Sequence, residues 1–183
     1  MGIDPVMVRA VFLDRDGVIN RAEVRNGKPY PPASIDDLEV LAGVAEGLQA
    51  LREAGFRLIV ITNQPDVARG WQMKETVEAM HARLRETLPL DEIMACYHDG
   101  DACDCRKPKP GALLDAARRH HIDLGASFMI GDRWRDVEAG QRAGCVSYFI
   151  DYGYAERQPE PPFIRVRSLL EAAVAIASGR DGR

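Results

Sequence analysis

Basic charge is in short supply in this chain: 24 Lys and Arg stand against 28 Asp and Glu among 183 residues, a formal net charge of −4. That balance excludes a general affinity for nucleic acid or an acidic membrane, both of which need a basic footprint. Long apolar runs are missing too, so no segment reaches the length of a membrane-crossing helix, and the start has neither the basic nor the apolar region of a secretory signal. Cysteine is scarce, four in all, and three of the four fall within one short stretch. These absences lead us to expect a cytoplasmic protein. What is present is ordinary globular material, 46% hydrophobic residues, enough for one substantial domain. Residues 1–7, ahead of or including a second methionine, read as a leader or remnant outside the fold, and 179–183 as a frayed tail.

The most informative stretch is Val11-Phe12-Leu13-Asp14-Arg15-Asp16-Gly17, where an apolar run ends in two carboxylates two residues apart. Val8 to Leu13 reads as a buried strand, with Gly17 permitting a sharp exit. Arg21 to Ile35, rich in charge, Gly and Pro, reads as an irregular loop. Helices are expected at Val44 to Ala54, Thr76 to Leu88, Pro110 to His120 and Val137 to Ala143. Strands are expected at Phe56 to Thr62, Glu92 to Tyr97, Ser127 to Ile130 and Val146 to Ile150. Strands alternating with helices predict an α/β fold, a doubly wound, Rossmann-like parallel sheet with helices on both faces, as one domain over 8–178. After a Pro-rich bend, Ser168 to Ser178 reads as a packing helix.

In a parallel sheet the carboxyl ends of all strands converge on one edge, where ligands bind. Three further strand ends carry polar clusters. Thr62-Asn63-Gln64 offers a hydroxyl and two amides to a phosphoryl oxygen, although Thr and Asn also cap strand ends. Arg106-Lys107-Pro108-Lys109 brings cations that suit a phosphate dianion or, equally, solvent. Gly131-Asp132-Arg133 ends a strand in an acid, with Asp136 placed to bind a metal through water or to cap the next helix. Carboxylates crowded at strand ends suit Mg²⁺, whose hard-oxygen ligands also hold phosphate.

Cys96, His98, Cys103 and Cys105 form a separate constellation: three thiolates and an imidazole are the closed ligand set of a structural Zn²⁺, so a zinc loop is expected over 96–105. A Cys103–Cys105 disulfide is the rival; the spacing and a reducing cytoplasm both disfavour it. Cys145 reads as core.

The four catalytic segments, in order from Asp14 to Asp136, resemble the haloacid dehalogenase superfamily. The resemblance implies Asp14 as nucleophile, Asp16 as general acid and base, and Thr62 and Lys107 as phosphoryl stabilisers. Mg²⁺ would be held by Asp14, Asp132 and Asp16, the last through its main-chain oxygen. The cysteine loop, together with Asp14-Arg15-Asp16-Gly17, Thr62-Asn63-Gln64 and Ala68-Arg69-Gly70, looks like the heptose bisphosphate phosphatase and histidinol phosphatase branch. That branch has no large cap domain and implies Arg106 as a substrate contact; Asn63, Gln64 and Arg133 are further candidates. The chain departs from it at Tyr97, where proline is frequent, and at Pro65-Asp66. The resemblance therefore implies a Mg²⁺-dependent phosphatase acting on a small phosphorylated metabolite through an aspartyl phosphate; a monomer is expected. A heptose bisphosphate leads; histidinol phosphate, or a zinc-stabilised binding module without turnover, is the alternative. Arg21, Arg25 and Lys28 are candidates for a second phosphate.

Overall fold

The computed structural model describes residues 7–179; the expected leader and tail lie outside them except for Met7 and Gly179. Strand β1 (Ala10–Leu13) is followed by β2 (Glu23–Arg25), β3 (Lys28–Tyr30), α1 (Val44–Glu53), β4 (Arg57–Asn63), α2 (Lys74–Thr87) and β5 (Glu92–Cys96). Then come α3 (Gly111–His120), β6 (Phe128–Gly131), α4 (Trp134–Ala143), β7 (Val146–Ile150), β8 (Ile164–Val166) and α5 (Leu169–Ala177). Six strands form one parallel sheet in the order β5-β4-β1-β6-β7-β8. From β1 the chain first winds outward through β4 to β5, then crosses to β6 and winds the other way. The crevice beside β1 is thus the topological switch point.

Alternation along the strands divides the core. Val11, Leu13, Leu58 and Val60 pack with Leu48 and Leu51 of α1 and with Ala172 and Ile176 of α5. Ala10, Phe12, Ile59 and Ile61 face the opposite layer, against Leu113 and Ala116 of α3 and Ala139 of α4. Successive side chains in a strand point to opposite faces, so burying both faces requires these unbroken apolar runs.

Three expectations need correction. The segment 21–35 is not irregular: β2 and β3 pair antiparallel around Asn26 and Gly27, both at positive φ. Asn-Gly is the dipeptide that the tight hairpin turn demands, so the signal was present within the charge and proline. The bend after β7 is not only packing, because β8 adds an edge strand to β7. Helix α4 begins one turn earlier than its apolar spacing indicated, since its first turn, Trp134 to Asp136, faces the polar sheet edge. Among the described residues no helix is long and apolar enough to cross a membrane.

Candidate active site

Strand register decides which side chains meet. Leu13 stands beside Val60 on one side and Ile130 on the other, so Asp14, Thr62 and Asp132 emerge together at the sheet's carboxyl edge. Asp14, Asp132 and Asp136 are all buried, and one carboxylate oxygen from each lies within 4.8 Å of the others. Gly17, at φ +85°, is required here: a Cβ on it would stand 2.0 Å from Asp132 Oδ2.

The buried Lys107 ammonium answers part of this charge. Its Nζ lies 2.9 Å from Asp14 Oδ1 and 2.7 Å from Asp136 Oδ1, and donates to the Ile61 carbonyl at 2.7 Å. Asn63 holds that lysine in place: its Nδ2 donates to the Lys107 carbonyl and its Oδ1 accepts from the Lys107 amide, at 3.0 and 3.1 Å. Asn63 therefore lines the cavity but acts on Lys107, having already used both ends of its amide. Asp136 also caps α4, its Oδ2 accepting from the Arg133 amide at 2.9 Å. The capping and ion-binding readings of Asp136 are compatible, because the two oxygens are separately engaged.

One ammonium does not balance three carboxylates. Burial, reinforced by Asp136 and against the pull of Lys107, pushes the Asp14 carboxyl up to about 6. Burial, then Asp14 and Asp136, push Asp132 well above the usual carboxylate range. Tyr154 donates to Asp132 Oδ2 at 2.9 Å, yet Oδ1 is buried with no partner. A divalent cation with oxygen ligands fits this donor set, supplying both the missing partner and the missing charge.

Asp16 is held apart from these three. Arg15, fully buried, grips its carboxylate through Nη2 at 3.0 and 3.1 Å and through Nε at 3.1 Å. Asn20 and Gln64 donate to the same carboxylate at 3.0 and 2.8 Å. Arg15, Asn20 and Gln64 thus fix the orientation of the Asp16 carboxylate at the cavity. Gln64 also donates to Thr62 Oγ1 at 2.9 Å. Behind Arg15 stands His81 of α2, its Nε2 3.0 Å from Arg15 Nη1. Burial and the neighbouring guanidinium push His81 down to about 4, so at neutral pH it is uncharged and accepts from Arg15.

These groups open into a cavity of about 160 Å³. Asp14, Asp16, Asn63, Gln64, Lys107 and Asp136 line it, and so do Tyr30, Trp71, Arg69, Arg133 and Arg135. Arg133 is paired with Glu156. Arg106 does not line the cavity; it donates to the His98 carbonyl at 2.8 Å. Two of the cations expected for a second phosphate are committed elsewhere, Arg21 to Glu39 and Arg25 to Glu23. Asp66, an odd charge beside an anion site, is neutralised by Arg69 at 3.2 Å. Sequence spacing did not single out Arg15, His81, Tyr154 or Glu156. A charged residue between two acids at the end of an apolar strand was the one available signal, and it marked Arg15.

The cysteine loop closes on itself. Cys96 Sγ lies 3.5 Å from His98 Nδ1 and 3.6 Å from Cys103 Sγ; Cys105 Sγ lies 3.4 Å from His98 Nδ1 and 3.5 Å from Cys103 Sγ. Cys105 Sγ and Cys96 Sγ stand closer, at 2.9 Å. A tetrahedral Zn²⁺ with thiolate bonds of about 2.3 Å needs ligand separations of roughly 3.8 Å; the four ligand atoms are gathered within 4.8 Å of one another, and this last pair would open by just under 1 Å to take the ion. All four cysteines are free, which removes the disulfide reading. The loop is tied to the catalytic end through β4, where the Gln64 amide donates to the Cys96 carbonyl at 2.7 Å.

The model of the haloacid dehalogenase-like hydrolases matches residues 22–144. A D-glycero-beta-D-manno-heptose-1,7-bisphosphate 7-phosphatase of Photorhabdus laumondii is 42% identical over 149 residues, 74% of this chain and 76% of the relative. The protein of that name from Pseudomonas putida is 34% identical over 93% of this chain and 98% of its own length. Among solved structures, the D,D-heptose 1.7-bisphosphate phosphatase of B. bronchiseptica, complexed with magnesium and phosphate, superposes with a TM-score of 0.80. It is 29% identical and covers 93% of this chain and 99% of its own.

Proposed function

The chain belongs to the haloacid dehalogenase-like hydrolases, and we propose that it removes the 7-phosphate from D-glycero-D-manno-heptose 1,7-bisphosphate as a Mg²⁺-dependent phosphatase. The observation that carries this reading is the pairing of a buried Asp14, salt-bridged to Lys107, with a separately held Asp16 on the same cavity. A binding module has no use for two acids kept in such different surroundings, whereas a phosphatase needs one to attack and one to move protons.

Each residue then has a task. Asp14 attacks phosphorus in line, while Lys107 and the Thr62 hydroxyl hold the non-bridging oxygens. Asp16 gives a proton to the leaving alkoxide, an aspartyl phosphate forms on Asp14, and Asp16 takes a proton from the water that hydrolyses it. Asp14, Asp132 and the Asp16 main chain would hold Mg²⁺, which supplies charge neutralisation between carboxylate and phosphate. Asp136 and Asn63 fix Lys107; Arg15, Asn20 and Gln64 fix Asp16. Cys96, His98, Cys103 and Cys105 would hold Zn²⁺ and so order the loop that delivers Lys107.

Among substrates, Arg135 on the cavity wall, the one lining cation with no carboxylate partner among the described residues, suits a second phosphate better than the amine of histidinol phosphate. The same reading takes residues 8–178 as one catalytic domain, a cytoplasmic monomer acting on a free metabolite. The net charge of −4 supports a partner that is neither nucleic acid nor membrane. The test is phosphate release with Mg²⁺ from both anomers of heptose 1,7-bisphosphate, hexose bisphosphates and histidinol phosphate. Preference for one heptose anomer is expected; turnover of histidinol phosphate alone would overturn the substrate.

A further inference from the structure

Four cations line the cavity that holds Asp14. Three are matched by carboxylates: Lys107 by Asp14 and Asp136, Arg69 by Asp66 and Asp99, and Arg133 by Glu156. The fourth, Arg135, is half-buried and has no hydrogen-bond acceptor or ion-pair partner among the described residues. Its one close partner is an aromatic face, the guanidinium carbon standing 4.5 Å from the centroid of the Trp134 ring. Burial, with Arg106 and Arg133 nearby, holds its pKa below the usual guanidinium range, against a weaker opposing pull from Glu156 and Asp101. A guanidinium stacked in place, flanked by like charge and short of acceptors, has the donors and the unmet charge that a phosphate dianion satisfies.

The position suits that role. Arg135 is the second residue of α4, a rigid element, and the next residue, Asp136, contacts Lys107 at the reacting end. At that end the nearest fixed cation is already shared between two carboxylates. A substrate with a second phosphate must therefore find its counter-charge elsewhere on the wall. Of the two basic groups committed outside the cavity, Arg21 and Arg25, neither lines it.

We infer that Arg135 anchors the phosphate that is not hydrolysed, and so sets the preference of this site for a bisphosphorylated sugar over its monophosphate. This rests on the reading of the site as a sugar bisphosphate phosphatase. The experiment compares kcat/KM for heptose 1,7-bisphosphate with kcat/KM for heptose 7-phosphate in the parent protein, Arg135→Gln and Arg135→Lys. The bisphosphate-to-monophosphate ratio should fall about tenfold or more in Arg135→Gln, chiefly through KM for the bisphosphate, and recover in large part in Arg135→Lys. An unchanged ratio in Arg135→Gln, beside a parent that prefers the bisphosphate, would overturn the inference alone. A parent with no preference for the bisphosphate would overturn the substrate reading itself.

A second measurement needs no change at position 135. In Asp14→Asn, which should bind substrate without turning it over, phenylglyoxal labelling of Arg135 is followed by mass spectrometry. Protection by the bisphosphate and not by the monophosphate is expected; equal protection by both would refute the anchor.

Discussion

At the scale of single residues, opposite protonation shifts sit within one site. Asp14 is pushed up to about 6 by burial and by Asp136, while His81 is pushed down to about 4 by burial and by Arg15. A histidine whose folded pKa lies below its unfolded value of about 6.5 leaves the unfolded chain binding more protons between those two values. Its contribution to stability is therefore whole above pH 6.5 and is lost as pH falls toward 4. His81→Gln keeps an acceptor for Arg15 but cannot titrate. The fall in Tm between pH 7 and pH 5 should be smaller in this variant than in the parent, by a few degrees. The two acids titrate alike in both proteins, so the difference isolates His81. An identical fall in both would mean that His81 is not held neutral behind Arg15.

What could be read beforehand at this scale was what lies contiguous in the chain. Asp14, Asp16, Lys107, Asp132 and the four zinc-loop residues stand in short motifs, each at a strand end or in a tight loop. Tyr154, Glu156 and His81 reach the site from segments with no motif of their own. Tyr154 arrives through the bend between β7 and β8, and only the folded chain brings its hydroxyl to Asp132. Arg135 was hidden by a different cause, since a single arginine on a helix ordinarily reads as a solvated face.

At the scale of elements, the apolar runs of β1, β4, β6 and β7 were legible because a strand buried on both faces has to be apolar throughout. β2, β3 and β8 are three residues each and carry charge on exposed positions, so their pattern is too short to stand out from loop. The zinc loop is the element whose folding depends most on chemistry and least on burial. Its backbone carries Lys107 toward Asp14, with Lys109 donating from Nζ to the Cys103 carbonyl at 2.9 Å. Cys103→Ser should lower bound zinc below one equivalent and reduce turnover at least tenfold, while the far-UV spectrum of the sheet is preserved. Full zinc content in the variant would remove Cys103 from the ligand set.

On the scale of the whole molecule, the sheet gathers negative charge on one edge. The folded protein without a divalent ion bears the cost of ionising Asp14 and Asp132 in a buried place. A carboxyl whose folded pKa is raised contributes stability that is present below its unfolded value and lost as pH rises through the folded value. The metal-free protein should thus lose stability from this source as pH rises from about 4 through 6. Mg²⁺ reverses that loss by binding the ionised form, so the rise in Tm on adding Mg²⁺ should be larger at pH 7.5 than at pH 5. A rise that is equal at both values would argue that the ion does not bind these carboxylates.

Phosphorylation of Asp14 is the central step of the proposed mechanism. The direct test is to quench the protein during turnover of heptose 1,7-bisphosphate, reduce with borohydride and map the chain by mass spectrometry. An aspartyl phosphate is reduced to homoserine, which should appear at position 14 and vanish when substrate is withheld. Full turnover with homoserine at another aspartate, or at none, would contradict it.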